Sequence, residues 1–274
     1  MTRQFLLDAP MIISFSCALI ASASFRTPDF SPPPDENQEA TEEFHRIFPM
    51  AANGTVSLKN FAGAIRITTW ERNEIKIDAV KSAYQKERLA EADINIDHNL
   101  DVIRITTKYA NENLSWSDDE RRYNNPAKVS YTLTVPRNVR LDKIDLLNGV
   151  AEIDGVIGGI KASSVNAGFT LRSIGGSVDI STVNGRLEVI LAPRNEASSV
   201  SLSSVNGQVI LTAPADANVQ FKASTMNGEI KNDFGLKVNH TVGSYLTGIL
   251  GRGSARIDLS NVNGGITVRR LAAM

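Results

Sequence analysis

The sequence predicts an all-β protein: a β-solenoid, built as a parallel β-helix-like stack of ~18–22-residue coils, with an N-terminal β-sheet or capping region. Two observations lead to this prediction. An Asn-Gly dipeptide recurs at a near-constant interval along the second half of the chain. Apolar residues also recur at fixed distances from each Asn, and they alternate as in a half-buried strand. The predicted turn residues of these repeats are Asn148, Gly149, Asn166, Gly168, Asn184, Gly185, Asn206, Gly207, Asn227, Gly228, Asn263 and Gly264.

Residues 1–23 have the features of a secretory signal peptide. An apolar run from Met11 to Ala21 leads into the small-residue pattern Ala21-Ser22-Ala23, which signal peptidase accepts. The run is shorter than the ~20 residues of a membrane-spanning helix, so we expect export without a stable membrane span after cleavage. Cys17 is the only cysteine, and it lies inside the run rather than after it. The pattern therefore favours a cleaved signal over a lipoprotein anchor.

Residues 24–42 are rich in proline and acidic residues and poor in apolar ones, which predicts a disordered linker. Residues 43–136 contain alternating apolar runs and are predicted to form an N-terminal β region. Within it, Lys86 to Ala92 is compatible with a short helix or a charged excursion, and residues 109–127 are predicted to form a long polar loop.

The N-terminal β region opens with a further Asn-Gly turn at Asn53 and Gly54. Apolar residues follow Asn53 at the same distances as they follow Asn166. We interpret this segment as an early copy of the repeat, in which Asn53 holds the position of the turn Asn.

Residues 137–274 are predicted to form the solenoid repeats. The residue four positions before each Asn is apolar, and the residue three positions before it is Ser in all copies except the first, which has Asp145. This pattern predicts an inward apolar face and a ladder of small hydroxyls. The residue directly before each Asn is also apolar, which predicts a bend or bulge in the strand. Residues 234–256 lose the pattern and form either a coil or an excursion.

The recurring Asn residues have two alternative roles. Asn and Gly tolerate the backbone of a tight turn, and stacked Asn side chains can also hydrogen-bond from one coil to the next. An alternative topology is a meander of separate β-hairpins, because Asn-Gly is also a hairpin signal. The near-constant interval favours the solenoid, since coils stacked at ~4.8 Å place each apolar position over its counterpart.

Four segments together resemble the DUF4097 family of candidate bacterial adhesins. They are Asn53-Gly54, Thr69 to Ile75, Tyr131 to Pro136, and the serial Ser-x-Val-Asn-Gly units. The resemblance covers residues 43 to 270, approximately. It implies an extracytoplasmic β-solenoid, and it brings no functional residues that could be carried over.

The composition predicts no catalytic, cofactor or metal site. The net charge is −1 and basic residues are scattered, which argues against nucleic acid as a partner. His45, His98 and His240 have no partner at the spacing of metal ligands. The carboxylates of the repeats fall at different positions, so no paired-carboxylate site is predicted.

We therefore expect an exported, non-enzymatic β-solenoid that acts as a surface or periplasmic interaction module, like an adhesin, with a protein or glycan partner. Two alternatives remain open. A parallel β-helix also supports carbohydrate-active enzymes, and the open ends of a solenoid also suit a self-associating structural scaffold.

Overall fold

The structure is a computed structural model that describes residues 39–110, 125–193, 199–240 and 242–272. The predicted signal peptide, most of the predicted linker and most of the predicted polar loop lie outside the described residues. The boundary of the linker is corrected, because residues 40–42 belong to the first strand. They pair with the third strand, where Glu42 lies opposite Lys81 and accepts its ammonium hydrogen bond at 2.9 Å.

The described residues are all-β apart from one 3-10 helix at Lys86–Glu91, so the first of the two alternatives for that segment is the observed one. No helix among them is long and apolar enough to cross a membrane. The strands are β1 (Ala40–Pro49), β2 (Thr55–Trp70), β3 (Glu74–Ala83), β4 (Ala92–His98), β5 (Val102–Tyr109), β6 (Lys128–Pro136), β7 (Arg140–Asp154), β8 (Ile160–Ile174), β9 (Val178–Asn184), β10 (Leu187–Leu191), β11 (Ser199–Asn206), β12 (Val209–Ala213), β13 (Val219–Asn227), β14 (Ile230–Asn232), β15 (Val238–His240), β16 (Ser244–Leu250), β17 (Ala255–Asn263) and β18 (Ile266–Arg270).

Strand β2 joins the N-terminal region to the repeats. From Thr55 to Ile67 it pairs in parallel with β7, the first repeat strand. On its other edge, the first half of β2 pairs with β5, which forms an antiparallel pair with β4. The second half pairs with β6, which continues through β3 to β1 in antiparallel register. The N-terminal region therefore extends both halves of the first repeat.

The repeats stack in parallel as layers, where a layer is the strand before one Asn together with the strand after it. The layers of Asn148 (β7), Asn166 (β8), Asn184 (β9 and β10) and Asn206 (β11 and β12) follow one another in chain order. The stack then departs from chain order. Strands β17 and β18, the layer of Asn263, pair with β11 and β12 on one side and with β13 and β14 on the other.

The last layer of the chain is thus inserted between two layers that are neighbours in sequence. Residues 234–256 make the insertion possible, and they form an excursion and not a further parallel coil. Strand β16 pairs antiparallel with the free edge of β13, and β15 pairs antiparallel with β16. The chain therefore extends the end of the stack before it turns back to fill the layer between Asn206 and Asn227.

In β9, β11, β13 and β17 the side chains alternate inward and outward up to the Asn, so the expected bulge is wrong for these layers. Strand β7 does have a register shift, but it lies earlier in the strand, between Leu141 and Ile144. The residue two positions before the Asn points inward although it is polar. Thr182, Ser204, Thr225 and Asn261 hold this position and are at most 5% exposed. Each donates a hydrogen bond to a carbonyl of a neighbouring turn. The apolar residue that follows is therefore outward in an unbroken alternation, and no register shift interrupts β9, β11, β13 and β17 there.

Asn261 is the least well satisfied member of this polar row. Its Nδ2 donates to the carbonyl of Gly207 at 2.7 Å, but its buried Oδ1 accepts no hydrogen bond from the described residues. We expect Asn261→Thr to raise the free energy of unfolding by about 1 kcal/mol, because a hydroxyl serves the same carbonyl without leaving a buried acceptor unpaired. Urea unfolding measures this change. The reciprocal variant Thr182→Asn is expected to be destabilised, and stabilisation of both variants would contradict the explanation.

Candidate interaction surface

The turn Asn side chains form one hydrogen-bonded ladder along the outside of the stack. Each Nδ2 donates to the Oδ1 of the preceding layer at 2.8–2.9 Å. Every donor points the same way, so each amide inside the ladder uses one N–H and its Oδ1 on its two neighbours. In stack order the ladder is Asn148, Asn166, Asn184, Asn206, Asn263 and Asn227.

Two predicted turn residues lie outside this ladder. Asn53 and Gly54 form a separate turn, in which the Gly54 amide donates to the carbonyl of Ala51 at 3.0 Å. Strand β2 is also a layer of the stack, but the β2 residue that pairs with Asn148 is Ala62, not Asn53. The register counted from Asn53 is therefore wrong, because an alternating apolar pattern also matches after a shift along the strand.

The other turn residues lie in the stacked layers. Gly149 pairs with Ala167, so Ala167 and not Gly168 is the counterpart of the turn glycine in the second layer. Gly149 and Gly264 have φ values of 139° and 145°, which residues with a side chain rarely adopt.

The ladder predicts a specific effect of a charge. Asn184→Asp removes the donor to Asn166 and places a carboxylate against the Oδ1 of that residue, so we expect about 1 kcal/mol of destabilisation at neutral pH. Chemical denaturation measures it. Asn53→Asp is the matched control, since Asn53 is also exposed but lies outside the ladder. Equal effects of the two variants would contradict the role assigned to the ladder.

An apolar stripe runs beside the ladder. It consists of the outward residues directly before each ladder position, and Phe61 begins it in β2, because Asn60 and Ala62 lie opposite Leu146 and Asn148. The layers are in register, so the stripe is about 29 Å long at the ~4.8 Å spacing of strands. Val165, Val183 and Val205 are 38–40% exposed, and Met226 is 65% exposed. In stack order the stripe is Phe61, Leu147, Val165, Val183, Val205, Val262 and Met226.

The N-terminal end of the stripe opens into a groove of about 740 Å³ between β2, β5, β7 and β8. Its apolar wall consists of Phe61, Tyr109, Leu147 and Val165. The rings of Phe61 and Tyr109 meet edge to face with their centroids 5.6 Å apart. The volume is in the range of small-molecule sites, whereas the rest of the stripe is open.

A buried hydrogen-bond network supports the groove from below. Asn60, at the inward polar position of the β2 layer, donates to the carbonyl of Val129 at 2.7 Å and accepts from the Thr107 hydroxyl at 2.9 Å. Thr107 also lies 2.7 Å from the hydroxyl of Tyr131. Burial raises the pKa of Tyr131 to about 12. The phenol is therefore neutral at physiological pH, and the network holds β2, β5 and β6 together without a buried charge.

Tyr109 anchors the aromatic wall in the same way. Its hydroxyl donates to the carbonyl of Ala127 at 2.8 Å, and burial raises the pKa of this phenol well above its ordinary value. The ring therefore stays neutral and fixed in place.

The mouth of the groove is positively charged. Lys59 and Lys108 line it, are exposed, and form no ion pair with any described residue. Asp145 also lines it, but its carboxylate accepts from Ser163 at 2.6 Å and pairs with Lys143 at 3.5 Å. Among the described residues, two unpaired ammonium groups thus lie beside one carboxylate that already has a cationic partner.

The three histidines lie in separate places. His45 contacts Asp78 at 2.7 Å, and this hydrogen bond raises the pKa of its imidazole. The rings of His98 and Phe48 lie with their centroids 4.1 Å apart. The Nδ1 of His240 lies 3.0 Å from the hydroxyl oxygen of Ser244. Within the described residues, no group of three or more His, Cys, Asp and Glu side chains is arranged to hold a metal ion.

The all-β stack of parallel layers defines the class of this protein, and comparison with known proteins defines its family. The chain belongs to the DUF4097 family, Toastrack DUF4097, whose family model matches residues 47–269. The comparison with curated proteins gave no match.

Two solved structures are similar to this chain. A candidate cell adhesion protein from Clostridium sporogenes has a TM-score of 0.54 at 12% identity, over 85% of this chain and 100% of that one. A candidate adhesin from Bacteroides fragilis has a TM-score of 0.40 at 12% identity, over 84% of this chain and 97% of that one. The first of these likenesses supports the fold.

Proposed function

We propose that this chain is an exported, non-enzymatic β-solenoid that acts as an adhesin-like interaction module at the cell surface or in the periplasm. The observation that carries the proposal is the apolar stripe, a continuous row of outward apolar side chains of which Val165, Val183, Val205 and Met226 are exposed. Isolated exposed apolar residues are ordinary on protein surfaces, whereas continuous patches mark interaction sites.

The chemistry of the stripe favours a protein partner over a glycan. Beyond the groove the stripe has valines and Met226 but no aromatic ring on which a sugar could stack. The adjacent Asn amides already use one N–H donor and one acceptor site within the ladder, so a partner that covers them displaces fewer hydrogen bonds to water than at a row of unpaired amides. A flat apolar row beside a polar row that is already partly hydrogen-bonded therefore suits a protein surface.

Binding to immobilised extracellular-matrix proteins and to a glycan array tests this proposal. The variant Val183→Lys with Val205→Lys places two charges in the stripe, and we expect at least a tenfold loss of protein binding. The control is Thr170→Lys with Thr267→Lys, which adds the same charges at outward positions of the strands after the turn. An equal loss in both variants, or binding to glycans alone, would overturn the assignment of the stripe.

The remaining parts of the proposal have their own tests. N-terminal sequencing of protein exported by a bacterial host is expected to begin at Ser24, and retention in the cytoplasm would contradict export. Turnover of polysaccharide or ester substrates by the purified mature protein above a buffer control would show that the module is an enzyme.

A further inference from the structure

The groove at the N-terminal end differs from the rest of the stripe in shape and in charge. The stripe is an open row, whereas the groove has walls from four strands and an aromatic pair, Phe61 and Tyr109. The groove also has two cations at its edge, Lys59 and Lys108, that form no ion pair within the described part of the chain. An apolar wall with an adjacent positive mouth matches a ligand that has an apolar body and an anionic head.

We propose that this groove binds a monomeric fatty carboxylate. The acyl chain contacts Phe61, Leu147 and Val165, and the carboxylate lies at the mouth near the two lysines. A charge-assisted hydrogen bond from an ammonium group to a carboxylate is stronger than one between neutral groups. Asp145 does not cancel this attraction, because Ser163 and Lys143 already satisfy its carboxylate.

The supporting structure suits a preformed site. Thr107 and Asn60 line the base of the groove, and their side chains are held by the buried network below it. Tyr109 is fixed through its hydroxyl to the carbonyl of Ala127. A ligand therefore enters a wall that is already ordered, and little conformational entropy is lost when it binds.

Isothermal titration calorimetry with decanoate below its micelle concentration tests the proposal, with 1-decanol as the neutral comparison. We expect saturable binding of decanoate and at least tenfold weaker binding of decanol. Lengthening the chain from octanoate to decanoate is expected to tighten binding by roughly tenfold, because each buried methylene contributes.

Three variants locate the site. Lys59→Gln with Lys108→Gln is expected to weaken decanoate at least tenfold and to leave decanol unchanged. Val165→Asp, in the groove wall, is expected to weaken both ligands. Val205→Asp, in the stripe outside the groove, is the matched control and is expected to change neither, which keeps this test independent of the protein-binding proposal. The absence of saturable binding, equal affinities for the acid and the alcohol, or a loss confined to Val205→Asp would overturn the proposal.

Discussion

Ending the chain at Gly253 is expected to abolish cooperative folding of the C-terminal half, although only the last strands of the sequence are removed. In the structure these strands are not the end of the stack, because β17 lies between β11 and β13. The deletion therefore leaves a gap in the interior of the stack. It also removes four buried apolar side chains, Ile257, Leu259, Ile266 and Val268, each at most 2% exposed.

The expected size of this effect follows from burial. Full burial of an aliphatic side chain contributes about 1.5–3 kcal/mol, so the four together contribute about 6 kcal/mol or more. This is comparable with the whole stability of a typical domain, about 5–15 kcal/mol. Circular dichroism measures this effect. The shortened chain is expected to have less β-strand signal before heating, and its thermal transition is expected to lack the contribution of the strands after β10.

A chain that ends at Leu271 is the control for this deletion. It retains β18 and the hydrogen bond from the Leu271 amide to the carbonyl of Ala213. We expect it to unfold like the full chain. If the chain ending at Gly253 unfolded at the same temperature as this control, the inserted position of the last layer would be wrong.

Substitution of Gly207 by Ala is expected to cost about 3 kcal/mol or more. A Cβ at this position would lie 2.0 Å from the carbonyl oxygen of Gly185 in the neighbouring layer. That oxygen belongs to the backbone of a central layer, so the clash is relieved only if the layers separate. The glycine is thus required by the close approach of two layers.

Gly159→Ala is the matched control, because a Cβ there would meet its nearest atom, the carbonyl oxygen of Ser177, at 4.0 Å. We expect the control to be neutral or stabilised by about 0.5 kcal/mol, since Ala restricts the unfolded chain. Guanidinium unfolding of both variants measures the difference. Equal stabilities would show that the layers are farther apart than the structure has them.

The fold could be predicted from the sequence wherever a local pattern controls it. The alternating apolar positions and the Asn-Gly interval predicted an all-β chain, and the segment from Thr69 to Ile75 helped to indicate the family. The inserted layer could not be predicted, because the interval from Asn227 to Asn263 is equally compatible with an added coil. Only the pairing of β17 on both edges shows where that layer lies.

The candidate surface illustrates a second limit. The apolar residue before each Asn is visible as a pattern, and it predicts a bulge only if every apolar residue of the strand must point inward. Thr182 and Ser204 are buried because the turn carbonyls of neighbouring layers accept their hydroxyl hydrogen bonds. The groove could not be predicted, because Phe61 and Tyr109 are far apart in sequence and only the pairing of β2 with β5 brings them together.

Disulfide cross-linking tests the order of the layers, on which both the ladder and the stripe depend. Ser203 pairs with Ser260, and their hydroxyl oxygens are 3.0 Å apart. Ser224 lies on the other side of Ser260, so it is about 10 Å from Ser203, beyond the Cα separation that a disulfide allows. In protein without Cys17, Ser203→Cys with Ser260→Cys is expected to form an intramolecular disulfide on mild oxidation, and Ser203→Cys with Ser224→Cys is expected to remain reduced. The opposite result would show that the layers follow chain order and would contradict the continuous stripe.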